Sequence, residues 1–455
     1  MIPPDTTSLR KRPPLLWLVF VPMLCLSPLA AQQSLTMQNS VQFALQNNPQ
    51  VQKAALEVQK GDYQIKEYLA VRLPQLNGSG NFTFNAKLPT QLIPNFFGGN
   101  PDELLPVQFG TALSVSAGLE LSQLVYDHGV WLGVKATDKL ATFNRLIEAK
   151  TQEDVAYNVV KIYMQAQILG KQRGILEANL LQVEGLLRAT ELQFQNGFAK
   201  KLDVDQLRVN RSTLRTQLDN LNLQYEQSLR ALKFAMAMPL DAPITLADTL
   251  QDSSLPTLQT DATPGFGNKI DLAIVNQQRQ LLDLQLAQTR ANYLPSARFF
   301  ANYAVQGQGN GFGDLGDGNR WFDYAIMGIN LRVPIFDGFR KGHRLQQNQI
   351  ELLQNEKDRQ LTQNSLEFQY QNAQLQLQSS FNSLRSQKEN LAMAEEVYAV
   401  MQKRFREGIA PITEVLNAET SMREVQTNYL AALLQYKWAS LDLEYANGKL
   451  LQLFK

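Results

Sequence analysis

The chain has 455 residues, 44% hydrophobic and 19% charged, with a formal net charge of +1. That length suggests two or three domains while the composition permits other architectures, and the near-neutral balance excludes the basic excess of a nucleic-acid-binding protein. A single cysteine, Cys25, excludes a disulfide framework within the chain, so stability must come from packing.

Arg10, Lys11 and Arg12 precede an apolar run from Leu15 to Leu26, followed by the small residues Ala30 and Ala31. Residues 1–31 therefore read as a secretory signal peptide. The run is short of the about 20 residues that span a bilayer, and no later segment is a continuous apolar run of that length, so no transmembrane helix is expected. Cys25 would be a lipidation site only behind small residues; Met23 and Leu24 precede it, which makes it a bystander. Cleavage after Ala31 removes Arg10, Lys11, Arg12 and Asp5, a net +2, and takes the chain from +1 to about −1.

Residues 38–72 are helical in pattern, and a short strand follows near 78–86. Pro89, Pro94, Gly98, Gly99 and Pro101 then mark an exposed loop. From 113 to 125 the period changes to two. Leu113, Val115, Ala117, Leu119 and Leu121 alternate with Ser114, Ser116, Gly118, Glu120 and Ser122, a strand with one wet face. Asp127 is placed to cap the helix that begins next. No proline lies between Pro106 and Pro239. About 68 residues can therefore run helically to a break at Gly197, about 100 Å at 1.5 Å per residue. A returning helix follows, and then an irregular connector from Leu240 to Lys269 that carries Pro243, Pro256 and Pro264.

The second half restates the first. Leu73-Pro74-Gln75 with Asn81-Phe82 recurs as Leu294-Pro295-Ser296 with Asn302-Tyr303, an offset of 221. Leu121 with Val125-Tyr126-Asp127 recurs as Leu331 with Ile335-Phe336-Asp337, an offset of 210. Phe194, Gly197 and Ala199 recur as Phe405, Gly408 and Ala410, an offset of 211. The fall of 11 places the extra residues in the first half's loop, between Pro74 and Asp127. In the second half, Phe299, Ala301, Tyr303 and Val305 alternate along a strand near 298–306. Met327, Ile329, Leu331, Val333 and Ile335 alternate with Gly328, Asn330, Arg332 and Pro334 along its partner. A Gly-rich loop, Gly307 to Gly318, joins them, and Asp337 holds the capping place of Asp127. The organisation is a first repeat over 32–238, a connector over 239–268 and a second repeat over 269–455.

The last helix carries Val415, Ala418, Met422, Val425, Tyr429, Ala432, Tyr436, Ala439 and Leu443 in alternating steps of three and four, a heptad seam. Subtracting 211 gives Val204, Leu207, Arg211, Leu214, Leu218, Leu221, Tyr225, Ser228 and Leu232, with Arg211 the clear exception. Small seam residues and polar outer faces point to a solvated helical assembly and not to a thick core.

Four short amphipathic strands in an exported chain meet a closure problem, because lipid cannot satisfy an open sheet edge. Membrane barrels begin at about eight strands, so several copies must pool their strands. Two repeats of helix, strand pair, long helix, glycine turn and returning helix resemble the TolC-like outer-membrane efflux family over nearly all of the mature chain. The resemblance implies a mixed α and β fold: three protomers give four strands each to a transmembrane β-barrel, continued by a long α-helical coiled-coil barrel in the periplasm. It also implies a homotrimer, a periplasmic adaptor and an inner-membrane pump as partners, with no cofactor.

Gly197-Phe198-Ala199 and Gly408-Ile409-Ala410-Pro411 look like the family's helix tips, which the resemblance gives to adaptor contact; tight turns between antiparallel helices would read the same. Asp203 and Glu414 hold the places of aperture acids, with Gln206 and Asn417 where a second acid would be expected. Acids in the first turn of a helix also stabilise it without any pore role. Tyr126, Trp131, Trp321, Phe322, Phe336 and Phe339 fit either an interfacial belt or rim packing.

Gly311-Phe312-Gly313-Asp314-Leu315-Gly316 matches a dinucleotide fingerprint in form, but strands flank it on both sides and no helix opens at it. His128 and His343 are too few for a metal site, and neither has the nucleophile and pocket that a general base requires. The chain thus reads as an efflux duct and not an enzyme. Protein secretion through the same duct and a periplasmic coiled-coil scaffold are the alternatives; the scaffold leaves the amphipathic strands without a purpose.

Overall fold

The computed structural model describes residues 33–95, 102, 104–248 and 269–454. The expected leader, Cys25, the loop residues Gly98, Gly99 and Pro101, and most of the connector lie outside the described residues. The first half comprises β1 (Gln33–Leu35), α1 (Met37–Asn47), α2 (Pro49–Ala70), β2 (Gln75–Phe84), β3 (Thr90–Pro94), β4 (Leu104–Gln108), β5 (Leu113–Tyr126), α3 (His128–Gln195) and α4 (Lys201–Met236). After β6 (Ile244–Leu246) come α5 (Ile270–Ala291), β7 (Ser296–Gly309), β8 (Trp321–Arg332), α6 (Arg340–Arg406) and α7 (Ile412–Ala446).

The expected strand pairs, β2 with β5 and β7 with β8, join into one antiparallel sheet of order β2-β5-β7-β8. Three details differ from the sequence expectation. Part of the first-half loop is a second hairpin, β3 paired with β4, although Pro94 and Pro106 stand in it; both sit in a two-stranded ribbon, where each strand has a free edge that tolerates a missing donor. β8 stops at Arg332, before Val333 and Ile335, because Pro334 cannot donate to a ladder. Asp127 caps α3 as expected, its Oδ1 accepting from Val130 N–H at 3.1 Å, but the N-cap of α6 is Phe339 at φ 63°. Asp337, two residues earlier, still serves that helix by accepting from Lys341 N–H at 3.2 Å.

The long helices contain 68 and 67 residues, in keeping with the proline-free spans. Every position of the expected α7 seam is buried or half-buried, and along α4 only Arg211 is exposed. No single thick core results. Separate apolar clusters lie along α3: Val155, Val159 and Tyr163 with α1 and α4, Ile168 with α7, and Val183 and Leu187 with the facing ends of α4 and α7.

The described start of the connector, up to Asp248, contains a short strand. β6 pairs in parallel with β1, and Asp248 Oδ2 just beyond accepts from Met37 N–H at 2.8 Å and from the buried Tyr163 hydroxyl at 2.9 Å. Where the chain re-enters at α5, Lys269 and Glu153 of α3 are both 1% exposed. Lys269 Nζ donates to Glu153 Oε2 at 3.1 Å and lies 3.6 Å from the Tyr445 ring centroid. Burial pushes Lys269 below the ordinary lysine range, and the carboxylate opposes that shift. The Tyr445 hydroxyl is pushed up to about 12, chiefly by burial, so it stays protonated; it donates to Asp154 at 2.7 Å and accepts from Lys150 at 2.6 Å.

Removing one member of this pair leaves a buried charge unpaired. Glu153→Gln is expected to lower stability by about 3–5 kcal/mol, whereas Glu153→Leu combined with Lys269→Met stays near neutral. Thermal unfolding followed by circular dichroism separates the two; equal losses would show that the pair is not the cause.

Candidate channel wall and helix-tip sites

Directly opposed residues of an antiparallel ladder share a sheet face. The register therefore divides the four strands into two surfaces. One carries Leu76 and Phe82 of β2, Leu121 and Val115 of β5, Ala301 and Val305 of β7, and Met327, Ile329 and Leu331 of β8. Gln123 and Asp323 are its polar exceptions. The other carries Asn77, Ser79 and Asn81 of β2, Ser122, Glu120 and Ser116 of β5, Asn302 and Gln306 of β7, and Asn330 and Arg332 of β8, interrupted by Phe300, Phe322 and Ile326. Leu76, Phe82, Met327, Ile329 and Leu331 are exposed, so the apolar face is uncovered. β2 and β8 each pair on one side only, which leaves both sheet edges open.

The expected aromatic belt divides between the two ends of the sheet. Trp321 and Phe322 open β8 at its hairpin end, where Trp321 Nε1 donates to Leu315 O at 2.9 Å across two short 3₁₀ turns. Tyr126, Trp131, Phe336 and Phe339 lie at the helical end. His128 and His343 fall in the first turns of α3 and α6, and no group of metal-ligating side chains occurs among the described residues.

At the far ends of the helices the two tips close by the same backbone device. Gly197 N–H donates to Phe194 O at 3.0 Å and Phe198 N–H to Gln193 O at 2.8 Å; Gly408 and Ile409 repeat the pattern onto Phe405 and Arg404. This paired closure requires a left-handed residue, supplied by Gly197 at φ 80° and Gly408 at φ 74°. It leaves apolar side chains outside: Phe198 is 86% and Ile409 62% exposed, while Ala199 is half-buried, Ala410 buried and Pro411 the exposed N-cap of α7.

The four candidate aperture residues separate into two pairs. Asp203 Oδ2 accepts from Lys200 N–H at 3.1 Å and so stabilises the start of α4. Glu414 is exposed in the first turn of α7, 4.0 Å from Arg404 Nη1. Gln206 and Asn417 instead line one groove between α4 and α7, a cavity of about 580 Å³, where Gln206 Oε1 is buried without a hydrogen-bond partner. A second cavity of about 620 Å³ continues the groove, and Arg423 lines both.

Sequence reasoning missed what joins α4 to α7 there. Glu419, buried beside the seam, pairs with Arg423 one turn later and accepts from Asn210 Nδ2 of α4 at 3.3 Å. Arg423 Nη1 donates to Gln217 Oε1 of α4 at 2.9 Å. The available signal was an acid at i and an arginine at i+4, both flanking an apolar seam.

These features define a membrane-facing sheet on a long helical stem, the build of an outer-membrane channel. The sequence pattern of outer membrane efflux proteins matches residues 41–237 and 267–449, and the chain belongs to that family. Its members are channels and not enzymes, and the protein is accordingly placed in the outer membrane with a large periplasmic portion. Outer membrane protein TolC of Salmonella enteritidis is 21% identical over 426 residues, covering 90% of this chain and 81% of that protein. The toluene efflux pump outer membrane protein TtgF of Pseudomonas putida is 22% identical over 427 residues, 90% of this chain and 83% of that one. The crystal structure of CusC superposes with a TM-score of 0.72 at 19% identity over 90% of this chain and 92% of that chain.

The tip glycines give a direct check. Gly197→Ala and Gly408→Ala each force a Cβ into the left-handed region and are expected to cost about 1–2 kcal/mol. Gly185→Ala, in the interior of α3 with open space around it, is expected to gain about 0.5–1 kcal/mol. Opposite signs in thermal midpoints test the assignment.

Proposed function

We propose that the protein is the outer-membrane exit duct of a tripartite efflux system, in which three copies pool their strands into a twelve-stranded barrel. Small molecules pass through it by diffusion when it is coupled to a periplasmic adaptor and an inner-membrane pump. The observation that carries this reading is the four-stranded sheet with two open edges and an uncovered apolar face. In lipid such a sheet is stable only when other copies close it.

The helical flanks support the same assembly. α2 packs on α3, α3 on α5 and α5 on α6, the same lateral order as β2, β5, β7 and β8; toward the tips α4 takes the flank of α2. On α6, Leu361, Phe368 and Leu375 are exposed at steps of seven, and on α4 Leu202, Val209 and Leu223 are exposed at multiples of seven. Each is a heptad-spaced stripe left exposed in the single chain, the first along a cleft with α3 and α7 and the second, at Leu202 and Val209, along the groove with α7. Two different flanks meeting head to tail generate a closed ring.

Within this reading the exposed tips at Phe198 and Ile409 offer apolar contacts to adaptor hairpins, and Asp203, Gln206, Glu414 and Asn417 surround the periplasmic aperture. The domain plan is a leader over 1–31 and two repeats joined by the connector over 239–268. The description of the family and the name of TtgF speak of efflux, which favours small-molecule export over protein secretion.

The decisive measurement is the mass of detergent-extracted protein from isolated outer membranes, by light scattering corrected for detergent. Three times the mature chain mass is expected, and Phe368→Glu should convert most of it to smaller species. A water-soluble monomer would overturn the duct.

A further inference from the structure

The wet face of the sheet changes character at its helical end. There the register sets Arg298 of β7 opposite Leu124 and Asn330, and Arg332 of β8 opposite Ser296. The two arginines therefore share the wet face on neighbouring strands, one diagonal step apart. Both are exposed, and among the described residues neither takes part in a salt bridge. The acid on this face, Glu120, stands four residues beyond Leu124 along β5, about 13 Å at the strand rise. On the rung between, Phe300 lies across Gly328, its ring 3.1 Å from where a Cβ on that glycine would stand. Elsewhere the face is mostly serine, asparagine and glutamine, which hydrate a wall without charging it.

Two like charges at neighbouring sheet positions repel each other, and no salt bridge among the described residues offsets the cost. We infer that Arg298 and Arg332 form an anion-attracting band in the lumen, and that it favours small solutes bearing carboxylate, sulfate or phosphate groups. A guanidinium presents a planar fork of donors matched to those groups. Phe300 beside it offers an apolar surface to the body of such a solute. This inference rests on the shared barrel proposed above, in which polar faces turn inward.

The test uses the full mature protein in planar bilayers under a potassium chloride gradient, with chloride and potassium as the probe ions. Arg298→Gln with Arg332→Gln should lower the chloride-to-potassium permeability ratio by about twofold at 0.1 M salt, where the Debye length of about 10 Å still reaches into the lumen. Glu120→Gln should raise that ratio. Arg298→Lys with Arg332→Lys keeps the charge and should keep the wild-type reversal potential. Open channels with the same reversal potential in the glutamine variant would overturn the band while leaving the duct intact, as would a lysine variant that shifts as far as the glutamine one. The duct itself is judged separately, from the detergent-corrected mass of the same preparation: a water-soluble monomer would overturn the duct, and the band with it.

Discussion

The rest of the structure depends on the hydrogen bonds of two strand edges. β2 and β8 each leave one side of the backbone unpaired, and hydrocarbon offers neither donors nor acceptors. Each unsatisfied group would cost several kcal/mol, far more than side-chain packing on the same strands could offset. The chain is therefore incomplete alone in a way that its helices are not. Helices satisfy their own backbones, so α3 and α6 tolerate exposure in the periplasm. The strict demand lies in about a dozen residues at each sheet edge, and the helical stem follows from it because the lateral order of the helices repeats that of the strands.

A stem built this way is thin, and thin assemblies have a register problem. An apolar seam that repeats every seven residues tolerates a slip by one heptad at modest cost. A buried carboxylate that meets its cation at one level does not, because a slip strands both charges away from water. The protein has such a lock where the second half begins, with Lys269 and Glu153 fixing α5 against α3. Near the tips the pair Glu419 and Arg423 lies within α7, and its hydrogen bonds with Asn210 and Gln217 set α7 against α4. Both sets of contacts stand between helices that belong to different halves, where no short connection sets the alignment.

The features that were legible in the sequence are those in which periodicity is long and local. The alternation from Leu113 to Leu121, the seam from Val415 to Leu443, and the paired breaks at Gly197 and Gly408 all appear at the expected places, because each reports a face or a turn fixed by neighbouring residues. The misses have different causes. β1 and β6 are three residues each and exist because they find each other across about 200 residues of chain. The β3 and β4 hairpin hides behind prolines that would exclude a central strand. Phe339 holds a left-handed cap usually given to glycine, so the pattern pointed to Asp337. Glu419 went unseen because a search for apolar repeats passes over the polar residues that flank them. For Asp203, Gln206, Glu414 and Asn417 the sequence supplied positions. The structure adds that Asp203 is engaged in starting its own helix, and that Gln206 and Asn417 share a groove.

That difference in engagement bears on where the wall carries an uncompensated field. At the tips, Asp203 accepts a backbone amide and Glu414 stands near Arg404, so part of each negative charge is answered within the chain. In the sheet, Arg298 and Arg332 take part in no salt bridge among the described residues, and their positions are set by a ladder whose register cannot slip without exchanging the two faces. A charge on a helix tip moves with any motion that widens the groove between α4 and α7. A charge on the sheet stays where the closed hydrogen-bond network holds it. In a duct of the proposed kind, electrostatic preference would thus be variable at the periplasmic end and fixed in the barrel, and the fixed contribution is the positive one.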